Sequence, residues 1–171
     1  LDQGILKPTQ PKVTSLDDMI FLSQFTKQRF MNASEIGCFL SHFSFWNHIV
    51  QNNIGCALIL EDDAYFDDRL LANQINSILS DHDKMNYSLV SLFKHNDQKK
   101  TKDYKKYNEV YDRIDARCWG TVGYLITLDG ARELINKSVP ISSPVDYTMN
   151  GIMDILGKGY IVKNSLITLC D

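Results

Sequence analysis

Between residues 34 and 50 apolar side chains recur every three or four positions. Ile36, Phe39, Leu40, Phe43, Trp46, Ile49 and Val50 hold that spacing, which predicts an α-helix. Ser34 is a suitable N-cap for it, and Glu35 places an acid in its first turn. Cys38 and Phe45 add apolar surface on another side, so the helix reads as central, apolar over most of its circumference. Asn52, Asn53 and Gly55 end it. The pattern then changes to an unbroken apolar run, Ala57, Leu58, Ile59 and Leu60, which is the signature of a short buried strand.

Downstream, helix and strand patterns alternate. Asp67 or Asp68 caps a second predicted helix with Leu70, Leu71, Ile75, Ile78 and Leu79 as its buried stripe. Residues 87–93 read as a strand and residues 109–114 as a short one. Residues 119–127 read as a stronger strand, in which Gly120 and Gly123 permit close backbone approach. A helix is predicted from Asp129 through Ile135, and another is opened by Pro144, Val145 and Asp146 and stopped by Gly157 and Gly159. Residues 160–169 read as a last strand or strand pair. This order predicts a three-layer α/β domain with no internal repeat.

Two segments fall outside the pattern. Residues 1–33 are irregular, interrupted by Pro8 and Pro11. Residues 94–108 carry six lysines among polar neighbours, the composition of a mobile, solvated loop. Such a loop also suits substrate phosphates or an anionic membrane surface.

Composition changes this picture little. A chain of 171 residues, 44% hydrophobic and 23% charged, makes a single globular domain with a sizeable core. A net charge of −3 argues against a nucleic-acid partner. No apolar stretch is long enough to span a bilayer. The chain opens at Leu1 without a basic-then-apolar leader, as expected of a fragment or a processed chain. Cys38, Cys56, Cys118 and Cys170 are widely spaced in apolar surroundings, so buried free thiols are expected in place of disulfides or a zinc site.

The chemistry concentrates where the first strand ends. Leu60 is followed by Glu61, Asp62 and Asp63. Open α/β sheets place working residues at the carboxyl ends of their strands. Three adjacent carboxylates repel one another there, and a divalent cation such as magnesium or manganese relieves the repulsion. Strand alternation sets Glu61 and Asp63 on one side as the candidate metal pair, with Asp62 pointing elsewhere. A helix cap or a solvated turn is the plainer alternative. Ser41 and His42 do not suggest a hydrolase, because adjacent helical residues point about 100° apart and no nucleophile elbow is present. A two-metal phosphohydrolase would need further His and Asp clusters.

The segment Glu35, Ile36, Gly37, Cys38, Phe39, Leu40, Ser41 and His42, then Trp46, then Leu58 through Asp63, resembles the signature of the family 25 glycosyltransferases. These include bacterial lipooligosaccharide galactosyltransferases and collagen galactosyltransferase domains. Trp119 through Ile126 resembles the family's second block, and Pro144, Val145 and Asp146 its third. The three blocks follow in order across residues 34–171.

The resemblance implies a GT-A-like, Rossmann-related three-layer sandwich. It implies a nucleotide-sugar donor and inverting transfer of a hexose, galactose from UDP-galactose, to a glycan or glycolipid acceptor of the lipopolysaccharide type. It also implies manganese or magnesium bridging the donor diphosphate at Glu61 and Asp63, Asp63 being the firmer ligand. Glu35, Ser41, His42, Asp62, Trp119, Gly120 and Thr121 become candidate donor or substrate contacts. Trp119 alternates with a core-filling reading and Asp62 with a turn cap. Asp146 becomes the candidate general base, with simple N-capping as its alternative. The expected location is the bacterial cytoplasm, at the inner face of the inner membrane. The family's opening strand is not legible in residues 1–33, and the chain stops early at Asp171. A truncated member, or an inactive one kept as a binding module, is the competing expectation.

Overall fold

The computed structural model describes residues 31–95, 105–114 and 118–170. Nearly all of the irregular segment expected over residues 1–33, and most of the Lys-rich loop expected over residues 94–108, lie outside the described residues. In chain order the elements are α1 (Ala33–Gln51), β1 (Cys56–Leu60), β2 (Ala64–Tyr65), α2 (Asp68–Ser80), α3 (His82–Met85), β3 (Leu89–Ser91), β4 (Tyr111–Arg113), β5 (Gly123–Thr127), α4 (Leu128–Lys137), α5 (Val145–Leu156), β6 (Gly159–Val162) and β7 (Thr168–Leu169).

Five strands form one mixed sheet in the order β1-β5-β3-β6-β4, and β2 pairs with β7 in a separate two-stranded ladder. β5 runs antiparallel to both β1 and β3, β6 runs parallel to β3, and β4 runs antiparallel to β6. Thus β1, β3 and β6 point the same way. Their carboxyl ends gather at one edge, together with the chain entering β5. Leu60 faces Gly123 across the β1–β5 ladder, and Ser91 faces Tyr124 across β3–β5.

Period-two alternation splits the core into two layers. Ile59, Leu89, Tyr124, Ile126 and Ile161 pack with Phe39, Trp46 and Ile49 of α1, Ala131 and Leu134 of α4, and Met149, Ile152 and Met153 of α5. On the other face Val90, Leu125, Tyr160 and Val162 pack with Leu71 and Ile78 of α2 and Met85 of α3. The sheet is therefore covered on both sides, which gives the expected three layers.

Several local expectations change. The first helix starts at Ala33 and is capped by Asn32, not by Ser34. Asn32 Oδ1 accepts the Glu35 N–H and Glu35 Oε2 accepts the Asn32 N–H, both at 2.9 Å. This reciprocal pair satisfies two otherwise orphaned donors. Nor is α1 buried all round. Phe39, His42, Trp46 and Ile49 form its buried stripe, whereas Ile36, Leu40 and Phe45 are exposed. The helix covers one face of the sheet and is not enclosed. The four cysteines are free as expected, but only Cys118 is buried, and Cys38 and Cys170 are exposed. Lys94, expected in the solvated loop, is buried with Asp112, its Nζ 3.3 Å from Oδ2. Among the described residues no helix is long and apolar enough to cross a membrane.

Candidate active site

β1 delivers Glu61 to the sheet edge. The Glu61 N–H donates to the Val122 carbonyl at 3.0 Å, extending the β1–β5 ladder by one residue. The chain then turns, and the Ala64 N–H reaches back to the Glu61 carbonyl at 3.2 Å. Asp62 and Asp63 occupy the corner of that turn and are exposed. Strand alternation thus stops before them, and the predicted pairing of Glu61 with Asp63 on one side of a strand has no strand to rest on.

Glu61 faces the helix layer instead. Its Oε1 accepts the Thr121 hydroxyl at 2.5 Å and lies 3.1 Å from His42 Nε2. His42 Nδ1 is 2.8 Å from the Tyr124 hydroxyl oxygen, which also accepts the Trp46 indole N–H at 3.0 Å. The indole can only donate. The Tyr124 O–H therefore turns to the ring nitrogen within its reach, His42 Nδ1. That leaves the hydrogen of neutral His42 on Nε2, donating to Glu61. Trp46, Tyr124, His42 and Glu61 form one directional chain whose first three members are almost fully buried.

This chain sets the charge of the site. Burial raises the Glu61 pKa, but the hydrogen bonds from His42 and Thr121 outweigh it and hold the carboxyl below its ordinary range. Burial also raises the Tyr124 pKa far above that of a free phenol, so Tyr124 remains a neutral donor. Cys38 lies one helical turn before His42. Burial, with the negative charges of Glu61 and Asp146, raises its thiol pKa against a hydrogen bond with Thr121.

The second and third sequence blocks meet here. Asp146 lies in the first turn of α5 but does not cap it. The N-cap is Pro144, which makes no side-chain cap bond. Asp146 Oδ2 instead accepts the Gly120 N–H at 3.3 Å and Oδ1 accepts the Tyr147 N–H at 2.9 Å. Gly120 has φ +89°, and a Cβ there would come within 2.8 Å of the Phe93 ring, so both conformation and packing require glycine. Asn150, buried one turn further along α5, donates to the Cys118 carbonyl at 2.9 Å and pins the start of the same segment. Trp119 is 45% exposed, with its ring centroid 6.3 Å from that of His95. It offers an accessible aromatic face and does not fill the core.

The structure thus brings together His42, Glu61, Gly120, Thr121 and Asp146, with Trp119 beside them. Four candidates stand outside that set, Asp62 and Asp63 being exposed on the turn. Glu35 serves the α1 cap, and Ser41 donates its hydroxyl to the Gly37 carbonyl at 3.0 Å, a bond within the helix. Sequence reasoning passed over Tyr124 and Cys38 as site residues. Cys38 was legible, since it precedes His42 by four positions. Tyr124 became visible only once β5 set its side chain toward α1.

For manganese or magnesium the relevant donors are hard oxygens. Asp62 and Asp63 are exposed carboxylates of that donor type and make no side-chain hydrogen bond or ion pair among the described residues. Glu61 Oε1 lies against His42 and Thr121, apart from that exposed pair.

A covered α/β sheet with carboxylates, a glycine turn and an exposed indole at its strand ends is the class of arrangement in which open α/β sheets carry ligand sites. Comparison with known sequences narrows that class. The model for glycosyltransferase family 25 (LPS biosynthesis protein) matches residues 7–149, and the chain belongs to that family. The match extends into the segment read as irregular. Procollagen galactosyltransferase 2 of Mus musculus is 26% identical over 164 residues, covering 90% of this chain and 26% of the mouse protein. A glycosyltransferase 25 family member of Anopheles gambiae is 32% identical over 122 residues, 70% of this chain and 20% of the mosquito protein. Procollagen galactosyltransferase 1-B of Xenopus laevis is 30% identical over 133 residues, 72% of this chain and 22% of the frog protein. The chain spans a quarter or less of the length of two of these curated relatives and 26% of the third.

Proposed function

We propose that this chain carries a GT-A-like nucleotide-sugar site that transfers a hexose, galactose from UDP-galactose, to a glycan acceptor with inversion. The observation carrying this reading is the meeting of three separate sequence blocks, through His42, Glu61, Thr121, Gly120 and Asp146, at one sheet edge in a chain of family 25. The family description, LPS biosynthesis protein, favours a lipopolysaccharide-type acceptor, and with it we propose the inner face of a bacterial membrane as the place of action. The animal relatives, named as procollagen galactosyltransferases, favour galactose as the sugar.

Asp63 and Asp62 would hold the manganese or magnesium ion, which supplies charge neutralisation for the departing diphosphate. Glu61 is a poor proton acceptor, since two donors already stabilise its anion. Its part is to fix the turn and lend negative charge. Asp146 accepts, among the described residues, the Gly120 and Tyr147 backbone N–H groups at 3.3 and 2.9 Å, one on each oxygen, which leaves lone pairs on both, and it is the carboxylate we assign to take the acceptor proton. Trp119 offers a stacking face for a sugar.

Thermal denaturation with UDP-galactose and manganese tests this reading. Ligand that binds only the native state raises the melting temperature. The expected result is a shift that needs both components and disappears in Asp63→Asn while the apo melting temperature stays put. No shift with any UDP-sugar would favour the inactive binding-module reading. An unchanged shift in Asp63→Asn would remove Asp63 from the ion.

A further inference from the structure

We propose that Cys38, His42 and Glu61 form a site for a thiophilic divalent cation of the zinc class, distinct from the hard-cation position assigned to Asp62 and Asp63. They offer a sulfur, an imidazole nitrogen and a carboxylate oxygen, and these atoms all lie within 4.8 Å of one another. Cys38 and His42 stand four residues apart on α1 and so share a face. Glu61 reaches them from the end of β1. Two donors come from one helix and the third from the residue that follows β1.

The geometry is close to that of a bound ion. Zinc holds such ligands at about 2.0–2.3 Å, which in a tetrahedron places them roughly 3.3–3.8 Å apart. His42 Nε2 and Glu61 Oε1 already stand 3.1 Å apart. Closing the triad moves Cys38 Sγ by about 1 Å, the scale of a side-chain rotation. Cys38 is exposed, so that rotation meets no core packing.

The neighbouring groups suit the exchange. A metal-bound histidine hands its other N–H to an acceptor, and the Tyr124 hydroxyl oxygen lies 2.8 Å from His42 Nδ1. On binding, the Cys38 thiol proton leaves to solvent and the sulfur–metal bond forms. The His42 hydrogen is relocated from Nε2 to Nδ1, where it donates to the Tyr124 oxygen; the Tyr124 O–H that had donated to Nδ1 rotates away, and Nε2 and the Glu61 carboxylate become ligands. One proton is released per ion. Magnesium does not compete, because it takes oxygen and avoids thiolate. This inference does not rest on the transferase reading.

Cobalt(II) titration of the full chain under a non-thiol reductant tests it. The expected result is a near-ultraviolet thiolate-to-cobalt charge-transfer band that saturates at one ion per chain and is displaced by zinc. The band persists in Cys170→Ala, weakens by roughly tenfold or more in affinity in Glu61→Gln, and is lost in Cys38→Ala. Cys38→Ser keeps the side-chain size, so loss of the band in a variant with a native melting curve separates ligand loss from misfolding. No band in the native chain, or a band that survives Cys38→Ala or Cys38→Ser, overturns the site.

Discussion

At the scale of single residues, the buried hydrogen-bond chain is the most consequential feature. Tyr124→Phe removes one oxygen and leaves the Trp46 N–H without its acceptor and His42 Nδ1 without its donor. Each is buried, so the cost is about 2 kcal/mol, within the usual range for stranding buried polar groups. Urea denaturation at neutral pH would show a lower midpoint with an unchanged slope. Nitrogen-15 NMR of His42 should at the same time lose the fixed Nε2–H tautomer, which a purely packing role for Tyr124 would not alter. Glu61 makes a pH-dependent prediction. Its folded pKa is lowered from the ordinary 4.5, so the folded state favours the anion. That stabilisation is complete above the ordinary value and is lost as pH falls through the lowered folded pKa. Glu61→Gln should therefore be less stable than the native chain at neutral pH, with a gap that narrows below about pH 4. Denaturation midpoints across that range measure it, and a gap that stays constant would contradict the assigned partners. Of these residues His42 and Glu61 stood out in the sequence. Their partnership did not, because it joins positions 42, 61, 121 and 124 through three elements.

At the scale of elements, the sequence was a good guide wherever periodicity and capping act locally. The helix from Asp68 has the Asp67 cap that its sequence promised, with Asp67 Oδ1 accepting the Leu70 N–H at 2.8 Å. Gly157, at φ +63°, ends α5 as its position foretold. The acidic turn was misread because alternation was extended past Leu60, where hydrogen bonding shows the strand giving way to a turn. The burial of Lys94 was also illegible, since its partner Asp112 lies on β4, eighteen positions on. That pair ties the end of β3 to β4 across β6, and Lys163 adds a second cation 3.8 Å from Asp112 Oδ1. Asp112→Ala should cost about 3–5 kcal/mol, because it leaves buried positive charge without that carboxylate. Replacing the pair together, Lys94→Met with Asp112→Leu, should recover most of the loss. Paired denaturation curves decide this, and a single variant as stable as the native chain would show the ion pair to be energetically idle.

At the scale of the whole molecule, the sheet is best protected at its centre and, among the described residues, least in the short β2–β7 ladder. β5 and β3 have neighbours on both sides and helices on both faces, whereas the β2–β7 ladder has two residues per strand and β7 is exposed. Native-state hydrogen exchange should be slowest at Leu125, Ile126 and Val90 and much faster at Tyr65 and Thr168. Equal protection in the two ladders would contradict the layered core. Strand ends on a protected centre suit a ligand site, since the rigid part positions groups that must remain accessible. The sequence by itself determined the alternation of helices and strands, the two-sided burial of the sheet and the three family blocks. Each of these is written in local spacing, in the transfer of apolar side chains out of water, and in short motifs. Only the tertiary structure decided which carboxylates serve which partners. Glu61 turned toward His42 while Asp62 and Asp63 stayed in water, because hydrogen-bond direction and burial depend on atoms that meet across the sheet and not along the chain.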